Sequence, residues 1–330
     1  MTRLKIRAFH AVASAIVLAA CLASGPVAAQ AWPAKPVRVI VSIGTGSALD
    51  FIARMFSEAA SKSFGQQFFV ENIMGASGII GAQTVARAAP DGYTLYVAPS
   101  SVLASNPYMF KSLPYNAFTD FTPIAILSDS GPLVFAVNSE LPVKTLPDLI
   151  AMAKAAPGKL SYGVDASSGY LLLTGRLLKA RAGIDVVEVP YKVGAQVIQD
   201  AGSGRTQYVV GSFASVSSFV KAGKLRMIAI TSAKRFPGMD DLPTAAETLP
   251  GFRMDGWYAL VGPAGVPDAV VRRLNREAEG FVTRSDVIQR QLQFGIAISG
   301  PRSPEATATF IRSEQDYWDK LSKELRIEPQ

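Results

Sequence analysis

The sequence predicts an α/β chain built as two successive units, each a mostly parallel sheet flanked by helices. Three observations predict it. Short β-branched runs alternate with longer amphipathic stretches, the pattern of repeated βαβ units. Clusters of small residues stand where strands hand over to helices. No low-complexity linker separates the two runs of alternation, so the units are expected to pack as lobes.

The first unit opens with a strand over Val37 to Val41 and a helix over Leu49 to Ser63. A strand over Phe68 to Glu71, a helix over Ile79 to Ala88 and a strand over Thr94 to Val97 come next. The second opens with a strand over Leu133 to Val137 and a helix over Leu146 to Ala155. Strand Leu160 to Val164, helix Tyr170 to Ala182, strand Val186 to Val189, helix Ala195 to Ala201 and strand Gln207 to Val210 continue it. Strand Leu225 to Ile230 leads into a long connection carrying Pro237, Gly238, Pro243, Pro250 and Gly251. The tail is helical, because Phe310, Tyr317, Trp318, Leu321 and Leu325 recur at helical spacing on one face.

Residues 1–31 read as an export signal: Arg3, Lys5 and Arg7, an apolar stretch from Ala11 to Ala23, then small residues around Ala29 and Ala31. Its apolar core is too short to span a bilayer. Leu18, Ala19, Ala20 and Cys21 also fit a lipoprotein box, which would leave the mature chain tethered through Cys21. Either reading places the protein in the periplasm. The signal holds the sole histidine, His10, and the sole cysteine, Cys21, of the 330 residues.

The chain beyond the signal has 30 basic and 26 acidic residues, a net charge of +4. That mild balance, without a Lys/Arg cluster, argues against a nucleic-acid partner. Without histidine or cysteine, a serine nucleophile lacks its usual base, and zinc has only carboxylates. Asp165, Asp200, Asp240 and Asp241 read as ordinary turn or helix acids rather than a catalytic pair. Gly44, Thr45 and Gly46 start like a dinucleotide fingerprint, but Leu49 occupies its third small position. The expectation is therefore no enzyme, no cofactor and no metal.

Six small-residue loops remain: Ser42 to Asp50, Gly75 to Gly78, Pro99 to Ser101, Asp165 to Gly169, Val193 to Ala195 and Gly211 to Ser212. At the carboxyl ends of parallel strands such loops form a ligand crevice, where helix amides attract anions such as carboxylates. Helix capping explains individual loops as well: Ser47 with Asp50, Thr145 with Asp148, and Ser303 before Glu305.

The order of motifs resembles the substrate-binding proteins of tripartite tricarboxylate transporters, the Bug-type receptors. The resemblance rests on Val70, Glu71, Asn72 with Gly75 to Ala82, Ala88 to Leu95, Asn106 and Pro107, Leu113 to Tyr115, Val189 to Lys192, Ala222 to Arg226, Thr231 to Arg235, and Gly262 to Pro267. It implies a two-lobed periplasmic binding protein of type II, the Venus flytrap, and covers nearly the whole mature chain. Lobe 1 would comprise residues 32–130 plus 256–330 and lobe 2 residues 131–255, with crossings near Ile124 to Val134 and Arg253 to Tyr258. It further implies a small organic carboxylate as ligand and permease membrane subunits as partners; a transporter-independent ligand sensor, or a carboxylate- or serine-dependent enzyme on the same scaffold, is the alternative, and a monomer is expected. Thr45, Gly46, Ser47, Asp50, Ala76, Ser100, Ser101, Ser167, Ser168, Gly194 and Ala195 are the expected ligand contacts.

The chain departs from the family pattern at Ser42 to Thr45, at Ser47 and Ala48, at Gly169 to Leu172 and at Gly211. These changes make one wall bulkier and another less polar, so a larger or more apolar ligand body is expected. Leu172 stands where many relatives place a histidine. A pocket without imidazole implies weak pH dependence near neutrality.

Overall fold

The structure, a computed structural model, describes residues 32–165 and 169–329. The signal, Ser167 and Ser168 lie outside the described residues. The chain from Lys35 onward makes one compact unit.

Two five-stranded sheets organise it. The first combines β1 (Val37–Val41), β2 (Phe68–Asn72), β3 (Thr94–Pro99), β4 (Phe121–Ser128) and β10 (Tyr258–Pro263), in the order β2-β1-β3-β10-β4. The second combines β5 (Leu133–Asn138), β6 (Ser161–Asp165), β7 (Val187–Tyr191), β8 (Tyr208–Ser212) and β9 (Leu225–Ile230), in the order β7-β6-β8-β5-β9. Three strands in each sheet are parallel, and the remaining pairings are antiparallel. Both sheets are therefore mixed, with four strands running one way and a single strand, β10 or β5, running against them.

Chain direction explains the mixture. Strand β10 enters the first sheet from the second, and β5 enters the second from the first. Each arrives at the end where the parallel strands finish, so it must run opposite to them. Outer strands β4 and β9 run back towards that end and carry the chain out again.

Helices α1 (Ala48–Phe64), α2 (Ile79–Ala86) and α3 (Asn106–Met109) belong to the first sheet's run. Helices α4 (Leu146–Ala155), α5 (Gly169–Ala182), α6 (Gly194–Gly202) and α7 (Phe213–Lys221) belong to the second. After α8 (Ala245–Thr248), the chain ends in α9 (Asp268–Val282), α10 (Ser285–Gln293) and α11 (Pro304–Glu324). Capping starts several of them: Thr145 and Asp148 make a full capping box on α4, and Ser303 accepts from the Ala306 amide on α11.

Helix α11 touches the elements of both sheets: its Gln315 donates to Leu103 O (2.8 Å) after β3, while Trp318 lies 6.1 Å from the Tyr170 ring of α5. Near its end Glu324 accepts from Arg181 of α5 at 2.8 Å. The apolar face expected at Trp318 and Leu321 is buried, with Phe310, Tyr317 and Leu325 packed at its margin.

The first crossing narrows to Asp129 to Pro132, between β4 and β5, and the return runs through Met254 to Trp257 into β10. Gly256 N donates to Gly131 O at 3.2 Å, so the two crossings touch. A third segment, Ile296 to Ser299, pairs with the first crossing through Ala297 N to Ser130 O at 2.7 Å.

Candidate functional site

Because β1, β2 and β3 run towards the crossings, their trailing loops meet at one end of the first sheet. Gly78 proves the convergence: a Cβ there would come within 2.8 Å of Val102 Cγ2 and 2.9 Å of Ser42 Oγ, one residue from each neighbouring loop. Close approach is thus glycine's reason for being there.

The loop after β1 presents Thr45 and Gly46 to solvent and leads into Ser47, which caps α1 by accepting from the Asp50 amide. Asp50 itself is buried. Its carboxylate accepts from Gly46 N (3.0 Å), Asn72 Nδ2 (2.9 Å) and Arg54 Nε (3.0 Å). Burial pushes this carboxyl up, but the Arg54 guanidinium and the Gly46 and Asn72 donors outweigh it and hold it below the usual range. Asp50 therefore fixes the loop from beneath. Ser42, at the base, accepts from the buried Tyr96 hydroxyl at 2.6 Å.

The loop after β2 is strained. Gly75, Ala76, Ser77 and Gly78 all have positive φ, at 128°, 47°, 55° and 84°. Two consecutive non-glycine residues in the left-handed region cost on the order of 1–2 kcal/mol each. Surrounding contacts enforce the shape: Asn106 Nδ2 donates to Ser77 O (3.2 Å) and to Tyr115 Oη (3.2 Å). The Gly78 and Ile79 amides close turns onto Gly75 O and Ala76 O. Those of Ala76 and Ser77 have no hydrogen-bond acceptor among the described residues. Ala76 and Ser77 are exposed, so these amides can meet an anion.

The loop after β3 is a single π-helical turn, Ser101–Ser105, entered through Ser100. Such turns recur at functional sites. The Ser100 amide is taken by Trp257 O at 2.9 Å, which ties this loop to the return crossing. Ser101 is half-buried at the head of the turn.

On the second sheet, Gly194 and Ala195 start α6 behind β7, with Ala195 exposed. A Cβ on Gly194 would lie 2.8 Å from Asp165 Oδ2. The structure thus brings Thr45, Gly46, Ser47, Ala76, Ser100 and Ser101 to neighbouring strand ends of one sheet. Gly194 and Ala195 stand at the corresponding end of the other.

Between the sheets lies a charged cluster that the sequence did not reveal. Asp255 on the return crossing accepts from Gly131 N (2.9 Å) and Ser130 Oγ (3.3 Å) on the first crossing. Burial lifts its carboxyl to about 7; the Gly131 and Ser130 donors and Arg253 oppose the rise, and Glu314 adds to it. Arg253 pairs with Glu314 of α11 at 2.6 Å, and Trp257 Nε1 donates to the same carboxylate at 3.0 Å. The Tyr170 hydroxyl, buried near Asp255, has no partner among the described residues. Asp255 is thus a carboxyl held well above the usual range, on the crossing and not in the loops expected to meet the ligand.

Asn72 and Asn106 sit inside the motifs that carry the family resemblance, yet their partners lie 22 and 29 residues away in sequence, so no local spacing announces their role. Among the described residues no cluster of three His, Cys, Asp or Glu could hold a metal, and no helix is long and apolar enough to cross a membrane. A groove of about 460 Å³ along β9, lined by Phe213, Met227 and Gly238 to Leu242, contains none of the expected contacts.

Residues 52–327 match the family described as the tripartite tricarboxylate transporter family receptor. The protein BugT of Bordetella pertussis is 31% identical over 311 residues, spanning 94% of this chain and 95% of that protein. Among solved structures, that of R. palustris Rpa4515 with adipate superposes with a TM-score of 0.78 at 31% identity, covering 91% of this chain and 100% of that one. The periplasmic binding protein BugD superposes at 0.74 with 27% identity, over 91% and 100% of the two chains. MatC of Rhodopseudomonas palustris with bound malate superposes at 0.72 with 28% identity, over 88% and 99%.

Proposed function

We propose that this chain, which belongs to the tripartite tricarboxylate transporter family of receptors, captures a small organic carboxylate between its lobes and delivers it to the membrane subunits of such a transporter. The observation that carries this reading is the Gly75–Gly78 loop: strained, braced by Asn106, and left with two amides aimed at no protein acceptor. Strain held in place by its surroundings is typical of a preorganised binding loop. Adipate and malate in two similar structures support a carboxylate as the anion.

In this reading Thr45, Ser47, Ala76, Ser100 and Ser101 supply donors from lobe 1, and Gly46, whose amide Asp50 holds, lets the ligand approach the loop closely. Ser167, Ser168, Gly194 and Ala195 supply them from lobe 2. Asp50 is a positioning residue, since its oxygens are occupied by Gly46, Asn72 and Arg54. Lobe 1 comprises residues 32–130 and 256–330, and lobe 2 residues 131–255. A ligand touching both favours the closed state by those contacts. Micromolar affinity needs about 8 kcal/mol, which several charge-assisted hydrogen bonds of roughly 1.5–3 kcal/mol each supply after ordering costs. The protein works as a monomeric receptor, not as a catalyst, and reaches the periplasm through its N-terminal signal.

Mass spectrometry of small molecules released from the purified protein tests the reading. An organic acid recovered intact, and bound again on titration with a Kd in the micromolar range or below, is the expected result. Recovery of a non-acidic ligand would overturn it.

A further inference from the structure

Among the described residues eight large hydrophobic side chains are exposed, and four stand at the crossing-facing end of a sheet. Ile43 (38% exposed) comes after β1, Met74 (60%) after β2, Ile80 (46%) lies in the first turn of α2, and Val193 (58%) comes after β7. Single exposed hydrophobics are ordinary on protein surfaces. Three of them stand on adjoining chain segments.

A Cβ on Gly44, next to Ile43, would lie 3.5 Å from Met74 Sδ, and one on Gly75, next to Met74, would lie 2.8 Å from Ile80 Cδ1. Asn72 holds the first pair in register by donating to Ile43 O at 3.1 Å. The apolar group is continuous along the chain with the candidate anion site: Ile43 precedes Thr45 and Gly46, and Met74 precedes the free amides of Ala76 and Ser77. An anion seated on those amides would therefore have Ile43, Met74 and Ile80 on the chain segments next to it.

We infer that the ligand is a carboxylate with a hydrocarbon body, a chain or ring that covers Ile43, Met74 and Ile80, rather than a short hydroxylated acid. This rests on the carboxylate reading above and narrows it. Water over these side chains is released when such a body covers them, and each buried methylene adds roughly fourfold to affinity. A hydroxyl pressed against the same surface would lose water without gaining a partner.

Calorimetric titration of the purified protein with malate, adipate, benzoate and isovalerate decides it. At least one of the three apolar-bodied acids is expected to bind tenfold or more tightly than malate. The double variant Ile43→Ser, Met74→Ser, with unfolding midpoint checked against the parent, is expected to shrink that ratio at least fivefold. Malate binding as tightly as the others, or a ratio unmoved in the folded double variant, would overturn this inference and leave the carboxylate receptor standing. No binding by any of the four acids would remove both.

Discussion

In the first sheet, Asp50, Asn72 and Asn106 hold the trailing loops through side-chain bonds, and those of Asn72 and Asn106 cross from one loop to another. In the second sheet, which shares the same strand plan, the described loops are held locally: Ser212 caps its own helix, and Tyr191 donates to Asp200 nine residues on. One strand order thus supports two kinds of loop. Under the proposed function the first sheet would offer a prebuilt half-site and the second sheet the helix ends that meet the ligand from the other side.

The strongest way to break this comparison is Asp50→Ala. It strips the partner from the Gly46 amide, Asn72 and Arg54 together. Expected are a stability loss of about 2–4 kcal/mol in urea unfolding and at least a thirtyfold loss of ligand affinity in the folded fraction. Unchanged affinity would show that the first sheet's loops need no bracing.

The crossings provide the second test, because Asp255 belongs to neither sheet's loops. Its carboxyl is lifted to about 7, so the folded chain binds this proton more tightly than the unfolded chain does. The group therefore favours folding at low pH, and that advantage disappears as pH rises from about 4 to about 7. Asp255→Asn should add little stability near pH 4 and on the order of 4 kcal/mol at pH 8. A gain at pH 8 no larger than at pH 4 would count against the buried acid.

The finest test pairs two caps of one geometry. Ser47 and Ser212 each accept from the amide three residues on, both at 3.2 Å. Alanine at either should cost about 1 kcal/mol. Only Ser47→Ala should also weaken ligand binding, about fivefold, so equal binding losses would erase the distinction between the sheets.

Much of this architecture is legible in the residue pattern. Helix Leu146–Ala155 and strand Leu225–Ile230 lie where periodicity puts them, because each has a clear apolar rhythm and clear punctuation. Strands β4 and β10 escape that reading. Pro123 interrupts the first, Gly262 and Pro263 end the second, and both sit outside the strand-helix alternation that identifies the others. Helix α9 has a readable stripe in Val270, Val271, Leu274, Ala278 and Phe281, all buried, which the expected elements did not include. The loops of the site announce themselves by small residues. Their bracing does not, since Asn106 to Ser77 and Asp255 to Gly131 are contacts made by the fold and not by local sequence.

The two antiparallel newcomers, β5 and β10, also set an order of assembly. The second sheet draws all its strands from one continuous stretch, Leu133 to Ile230. The first has β10 in its interior, between β3 and β4, and that strand begins only at Tyr258. A chain emerging from its amino end can finish the second sheet while the first still lacks the strand that joins its two parts. Bridging Ser128 to Tyr258 is then made easier, because the folded second lobe has already brought those ends together and shortened the loop to be closed.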